Sequence, residues 1–252
     1  MAERFSDRLV VVDDADREVF AFDARFAVLD LGAASNEGDL RIRGNDGEFK
    51  FHFDGGQQFL VVRDSSGRDV LHFNGPNSQL RVGSQSGGNE GDVYVLDGAG
   101  NASIHLDGGS GDIILQNADC AEEFETGTGV AVDPGAVVVL DDDGRVRPST
   151  REYDTSVVGI VSGAGGYRPG IVLDRRQSPL PRVPVALMGK AFCLVDAGSH
   201  PVHPGDLLTT AGTAGHAMVA RDRARAAGAV VGKALRALPA GTGLVPVLVA
   251  LG

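Results

Sequence analysis

The sequence predicts an all-β chain in two parts: β-hairpin or solenoid-like repeats over residues 1–117, then a compact, pseudo-duplicated β-barrel or sandwich over residues 118–252. Three observations carry this. A short motif with apolar spacing of two recurs four times, continuous apolar runs begin after residue 118, and the 36 glycines follow no three-residue period. Glycine at that frequency without a period serves turns, so the elements are many and short.

The motif is apolar, any residue, apolar, Asp or Asn, then Gly or Ala. It reads FAFDA at 20–24, FHFDG at 51–55, LHFNG at 71–75 and IHLDG at 104–108. Four residues before each copy stands a turn-type residue, Asp16, Gly47, Gly67 or Gly100. Apolar pairs follow five and seven residues after each copy: Leu29 and Leu31, Leu60 and Val62, Leu80 and Val82, Ile113 and Leu115. Each copy therefore reads as strand, Asp-Gly-type turn, strand, with one face buried and one wet. The copies begin 31, 20 and 33 residues apart, and the longer intervals contain SNEGDLRI at 35–42 and GNEGDVYV at 88–95, read as added strands. One hairpin buries too little to stand alone, so the units stack. A slender acidic array of this kind completes its core with other chains; the alternative is a monomeric meander or solenoid.

In the second part, AVVVL at 136–140, SVVGIV at 156–161, VPVALM at 183–188 and LVPVLVAL at 244–251 suit strands buried on both faces. Asp143-Gly144 marks a hairpin turn. Pro134-Gly135, AVVVL, Gly144 and the VVG ending at Gly159 parallel Pro204-Gly205, DLLTT, Gly212 with Gly215, and the VVG ending at Gly232. The domain thus reads as two halves joined by residues 163–190. RDRARAA at 221–227 is compatible with a helix that Gly228 stops.

Composition narrows the function. Of the net charge of −11, nearly all lies in residues 1–117, where 20 acidic residues face 10 basic ones, against 14 and 13 in the remainder. That balance repels phosphate backbones and anionic membranes, and no apolar run approaches 18 residues, so neither nucleic acid nor membrane insertion is expected. Cys120 and Cys193 form neither a disulfide framework nor a metal knuckle and read as free thiols. MAERFSDRLVVV lacks the apolar core of a signal peptide. The expectation is a protein that is cytoplasmic before assembly and particle-associated or extracellular afterwards.

The ordered series NADCAEEFE at 117–125, PGAVVVLDDDGRVRPS at 134–149, YDTSVVGIVSGAGGYRPGIVLD at 153–174, VALMGKAFCLVDA at 185–197, PGDLLTTAGTAGHAMVA at 204–220, VVGKAL at 230–235 and GLVPVLVAL at 243–251 resembles the C-terminal domains of bacterial and phage tail-fibre or appendage-like proteins. IHLDGGSGDIILQNADCAEEF at 104–124 looks like the junction between a β-repeat stalk and such a domain. The resemblance implies a trimeric appendage of a phage-tail-like, contractile-injection or cell-surface assembly, with other particle or tail components as partners. Some related phage appendages carry a self-cleaving chaperone after a comparable domain; here a buried-strand pattern runs to Gly252, and a cleaved product would look the same.

Several residues invite a chemical reading. His52, His72 and His105 share one repeat position between apolar neighbours, which suggests a metal-binding or pH-responsive ladder; alternation instead places them on the face opposite the core, as solvated strand residues. His200 and His203 lie in SHPVHPGD, where a trimer axis could gather metal ligands, yet the prolines make this a turn first. DGGSGDIIL at 107–115 and LDDDG at 140–144 fall short of calcium-repeat and EF-hand spacing and read as Asp-rich turns. Ser162, among glycines, is the one candidate nucleophile, with His216 as a conceivable base. SGAGGYRPG lacks the ending of a phosphate loop. Tyr153, Tyr167, Arg168, Arg175 and Arg176 form a candidate recognition patch, against a subunit contact as the plainer reading. No cofactor is expected. The reading is a non-enzymatic structural or attachment protein acting as a homo-oligomer, a trimer by resemblance. The alternatives are a carbohydrate- or receptor-binding module, weakened by 6% aromatic residues and no Trp, and an autoproteolytic maturation domain using Ser162.

Overall fold

A five-residue turn recurs through the chain and sets its strand geometry. In 13–17, 64–68, 97–101 and 141–145 an aspartate opens the turn, and its Oδ1 accepts the N–H groups two and four residues on. Its own N–H donates to the carbonyl of the fifth residue. The fourth residue, Asp16, Gly67, Gly100 or Gly144, takes a positive φ of 60–87°. This is the geometry of a tight hairpin closed by a bulge. Hydrogen bonds from Arg17 hold the Asp13 carboxyl at about 2, well below the ordinary carboxylate range. The motif's own Asp54 and Asn74 act at the other strand ends, accepting the N–H groups of Gln57 and Asn77.

The computed structural model describes residues 8–23, 28–32, 37–85, 87–88 and 90–252. The turn at 24–27, with Ser35, Asn36 and Asn89 of the two inserted segments, lies outside the described residues. The chain divides into two units, Met1–Ile114 and Leu115–Gly252.

Among the described residues, the first unit forms three antiparallel meanders. One contains β1 (Arg8–Val12), β2 (Glu18–Asp23) and β3 (Val28–Leu31). A second contains β4 (Asp39–Arg43), β5 (Phe49–Asp54), β6 (Phe59–Arg63), β7 (Asp69–Asn74) and β8 (Gln79–Val82). A third contains β9 (Asp92–Leu96), β10 (Ala102–Asp107) and β11 (Ile113–Leu115). The motif copies are β2, β5, β7 and β10, and the segments read as insertions supply β4 and β9. The repeat is thus expressed as sheet extension: the same hairpin is built on in three, five and three strands.

The second unit is a ten-stranded sheet whose pairings close into two rings. In the first ring β12 (Asp119–Glu125) pairs with β17 (Arg182–Asp196), which pairs with β15 (Val157–Val161), then β13 (Val137–Leu140), then β14 (Val146–Pro148). A bridge from Thr126 to Val146 returns β14 to β12. In the second ring β17 pairs with β19 (Ala217–Val219), followed by β18 (Leu207–Thr210), β20 (Val230–Ala234) and β21 (Thr242–Ala250), which returns to β17. β16 (Pro169–Leu173) lies parallel to β12. The predicted short helix is α1 (Arg223–Ala226), capped by Asp222, whose side chain accepts two N–H groups of its first turn.

The duplication lies in β13-β14-β15 against β18-β19-β20, where the first strand of each set pairs with the other two. Residues 163–190 are more than a connection. They include β16 and the start of β17, a fifteen-residue strand that serves both rings. The buried apolar residues form two clusters: Val138, Val146, Val161 and Val185 of the first ring make one, while Val137, Ile160 and Ala186 from the same strands join Val195, Leu208, Val231 and Val247 of the second ring in the other.

Gly159 and Gly232 end the paired VVG sequences, and at both a neighbouring strand passes too close for any side chain. An added Cβ would lie 2.5 Å from the Ala186 carbonyl oxygen and 2.2 Å from that of Leu248. Gly159→Ala and Gly232→Ala should each lower stability by about 1–3 kcal/mol through backbone displacement, read as a reduced urea midpoint.

Candidate functional site

Register in the five-stranded sheet sorts its side chains into two unlike faces. Across β4 to β8, Leu40, Phe53, Leu60, Phe73 and Leu80 stand directly opposite one another, and so do Ile42, Phe51, Val62, Leu71 and Val82. These two rows form one face without a polar side chain, and it is open: Phe53 and Phe73 are each 47% exposed and Leu80 63%. The row between them reads Arg41, His52, Val61, His72, Arg81, a palindrome on the opposite face.

The other two meanders repeat the pattern. Val11, Phe20 and Leu31 align across β1 to β3. Val93 faces Leu106, and Val95 lies against Ile104 at the bulge in β9–β10. Val11, Val93, Val95, Ile104, Leu106 and Ile113 are all exposed. Among the described residues of the first unit, Ala21 and Val61 are the buried apolar side chains.

The histidines lie on the more enclosed face, contrary to the reading that alternation suggested. His52 is buried, with Phe59 edge-on at 5.1 Å between ring centroids; the far side of Phe59 meets His72 at 5.8 Å. Arg41 Nε donates to His52 Nε2 at 3.0 Å, and Arg81 bonds to His72 Nδ1 in the mirror position. The Arg41 and Arg43 guanidinium groups lie over the Phe49 ring. Long stems and stacked rings let this polar face cover itself. His105 stacks on Tyr94 at 4.1 Å.

The candidate residues of the second unit fall into separate neighbourhoods. Ser162 is buried, and its Oγ donates to Asp119 Oδ2 at 2.7 Å. Asp119 Oδ1 is buried without a hydrogen-bond partner, and burial raises the carboxyl above its ordinary value despite the serine. The hydroxyl proton of Ser162 thus faces a carboxyl, whereas His216 Nδ1 lies 2.8 Å from the Ala214 carbonyl.

Tyr153 takes a positive φ, and its hydroxyl accepts the N–H groups of Arg221 and Asp222, fixing the entry to α1. Tyr167 packs on Phe192 at 4.9 Å, and Arg168 donates to the carbonyls of Gly163, Gly165 and Tyr167 within its own loop. Arg175 and Arg176 are exposed and pair with Glu123 and Asp174. His203 is exposed near Asp206, and His200 is exposed in the same loop. Asp141 of LDDDG is engaged as a turn aspartate. Cys193 is buried, which pushes its thiol far above the ordinary range, and Cys120 is half-buried.

No family model and no curated protein matches the chain. Among solved structures it is similar to pre-mature bacteriophage phi29 gene product 12, at 16% identity and a TM-score of 0.39, over 59% of this chain and 24% of that one. It is also similar to the C-terminal fragment of the same phage protein, at 16% identity and a TM-score of 0.37, over 52% of this chain and all of the fragment.

Ser162→Ala should cost about 1–3 kcal/mol by leaving the buried Asp119 carboxyl unpaired, read in chemical denaturation. Because burial raises the folded-state value of Asp119, its contribution to stability is fully present below the ordinary carboxylate value of the unfolded chain and is lost as pH rises through the folded one. In urea midpoints measured from pH 3 to 8, Asp119→Asn should therefore gain on the wild type as pH rises.

Proposed function

We propose that this chain is a non-enzymatic structural protein of a phage-tail-like or cell-surface appendage, in which the first unit is a stalk assembled from identical copies, three by preference. The observation that carries this reading is the pair of apolar rows running unbroken across β4 to β8, with matching rows in the other two meanders. A face made only of Leu, Ile, Val and Phe is costly to leave in water, at roughly 1.5–3 kcal/mol for each large side chain that could be covered. Contiguous patches of this kind mark contact surfaces.

A copy of the same chain is the occupant the geometry favours. Three meanders carry the rows along the first unit, and an identical chain offers rows at the same spacing. Closed symmetric assemblies bury such a face on every copy at once. The second unit, with its own two cores, then ends or anchors the stalk. Its attachment partner is another component of the particle or a surface receptor.

Light scattering on the wild-type chain should give a mass of three chains that persists on dilution. Phe53→Asp combined with Phe73→Asp should give a smaller species while the cores of the second unit retain their unfolding transition. A wild-type monomer at micromolar concentration would overturn the assembly reading.

A further inference from the structure

Among the described residues, two groups of metal-ligating side chains stand together: Asp39, His52 and Asp54, and Asp92, His105 and Asp107. They occupy the same places in their sheets, 53 residues apart at every position. In both, two aspartates stand directly opposite each other on neighbouring strands, Asp39 against Asp54 and Asp92 against Asp107. Like charges so placed repel.

The two trios differ in what balances that charge. In the first, the Arg41 guanidinium pairs with Asp39 and donates to His52 Nε2, so the chain supplies its own cation. In the second, the corresponding residue is Tyr94, which stacks on His105 and brings no charge. His105 Nε2 is shielded from solvent and lacks a hydrogen-bond partner, although it lies 3.4 Å from Asp92 Oδ1. Ligand atoms about 2.0–2.2 Å from a tetrahedral zinc ion are about 3.3–3.6 Å apart, so this spacing already suits a shared metal. The three ligand atoms lie within 4.8 Å of one another.

We propose that Asp92, His105 and Asp107 form a divalent metal site of the zinc type that clamps β9 to β10, and that Arg41 replaces the metal in the first trio. One imidazole and two carboxylates suit zinc or a similar transition ion, while calcium and magnesium take oxygen ligands. Three protein ligands leave a coordination position for water. The apolar rows lie on the opposite face of the same strands, so the metal would stiffen the hairpin without entering that surface.

The test is calorimetric titration of Zn²⁺ into the full chain without a polyhistidine tag, at pH 7. One Zn²⁺ per chain is expected, and His105→Gln and Asp92→Asn should each weaken binding at least tenfold. His52→Gln and His203→Gln should leave it unchanged. Thermal unfolding with Zn²⁺ or with a chelator supplies a second readout: Zn²⁺ should raise the wild-type melting temperature and leave that of folded His105→Gln and Asp92→Asn unmoved. No Zn²⁺ binding by the wild type, or binding undiminished in both variants, would overturn the proposal.

Discussion

Strand register is the constraint on which the first unit depends, and the five-residue turn is what holds it. At 13–17, 64–68 and 97–101 the turn commits one aspartate side chain to two backbone N–H groups, whereas at 44–48 Gly44 opens it and Asp46 accepts the Glu48 N–H, and the strands joined by these four turns each carry a register shift. A slip of one residue would send every side chain to the other face. With the register kept, five strands line up two apolar rows on one face and the palindromic row from Arg41 to Arg81 on the other. The apolar surface is therefore a product of turn chemistry as much as of hydrophobic composition.

The turns and strands were legible because their signals are local. Asp16, Gly47, Gly67 and Gly100 all take the positive φ that their turns require, and the motif copies coincide with β2, β5, β7 and β10. Alternation also divided the faces correctly, but it does not say which face a single chain can cover. That depends on reach: Arg41, Arg43, Phe49 and Phe59 extend across their own face and enclose His52, while Phe53 and Phe73 stay exposed. The Asp trios escaped notice for a related reason. Asp39 and Asp92 sit on the inserted strands, and only pairing sets them against the motif's aspartates.

Long-range pairing also decided the second unit. Nothing in spacing links Ser162 to Asp119 or Tyr153 to Arg221; the sheet brings these together across 43 and 68 residues. The duplicated Pro-Gly and VVG pattern was visible because each half needs the same close strand approach at Gly159 and Gly232. Residues 163–190 were harder to read, since β16 and the first part of β17 are only partly buried.

β17 gives the second unit a property that its internal duplication conceals. One uninterrupted strand supplies Val185 to one buried cluster and Ala186, Cys193 and Val195 to the other, and it holds β21 along a nine-residue antiparallel ladder. Neither half owns a complete perimeter, so no cut point would release two self-sufficient modules. A tandem copy fused in this way melts as one cooperative body, and a force entering along either half is met by hydrogen bonds belonging to both.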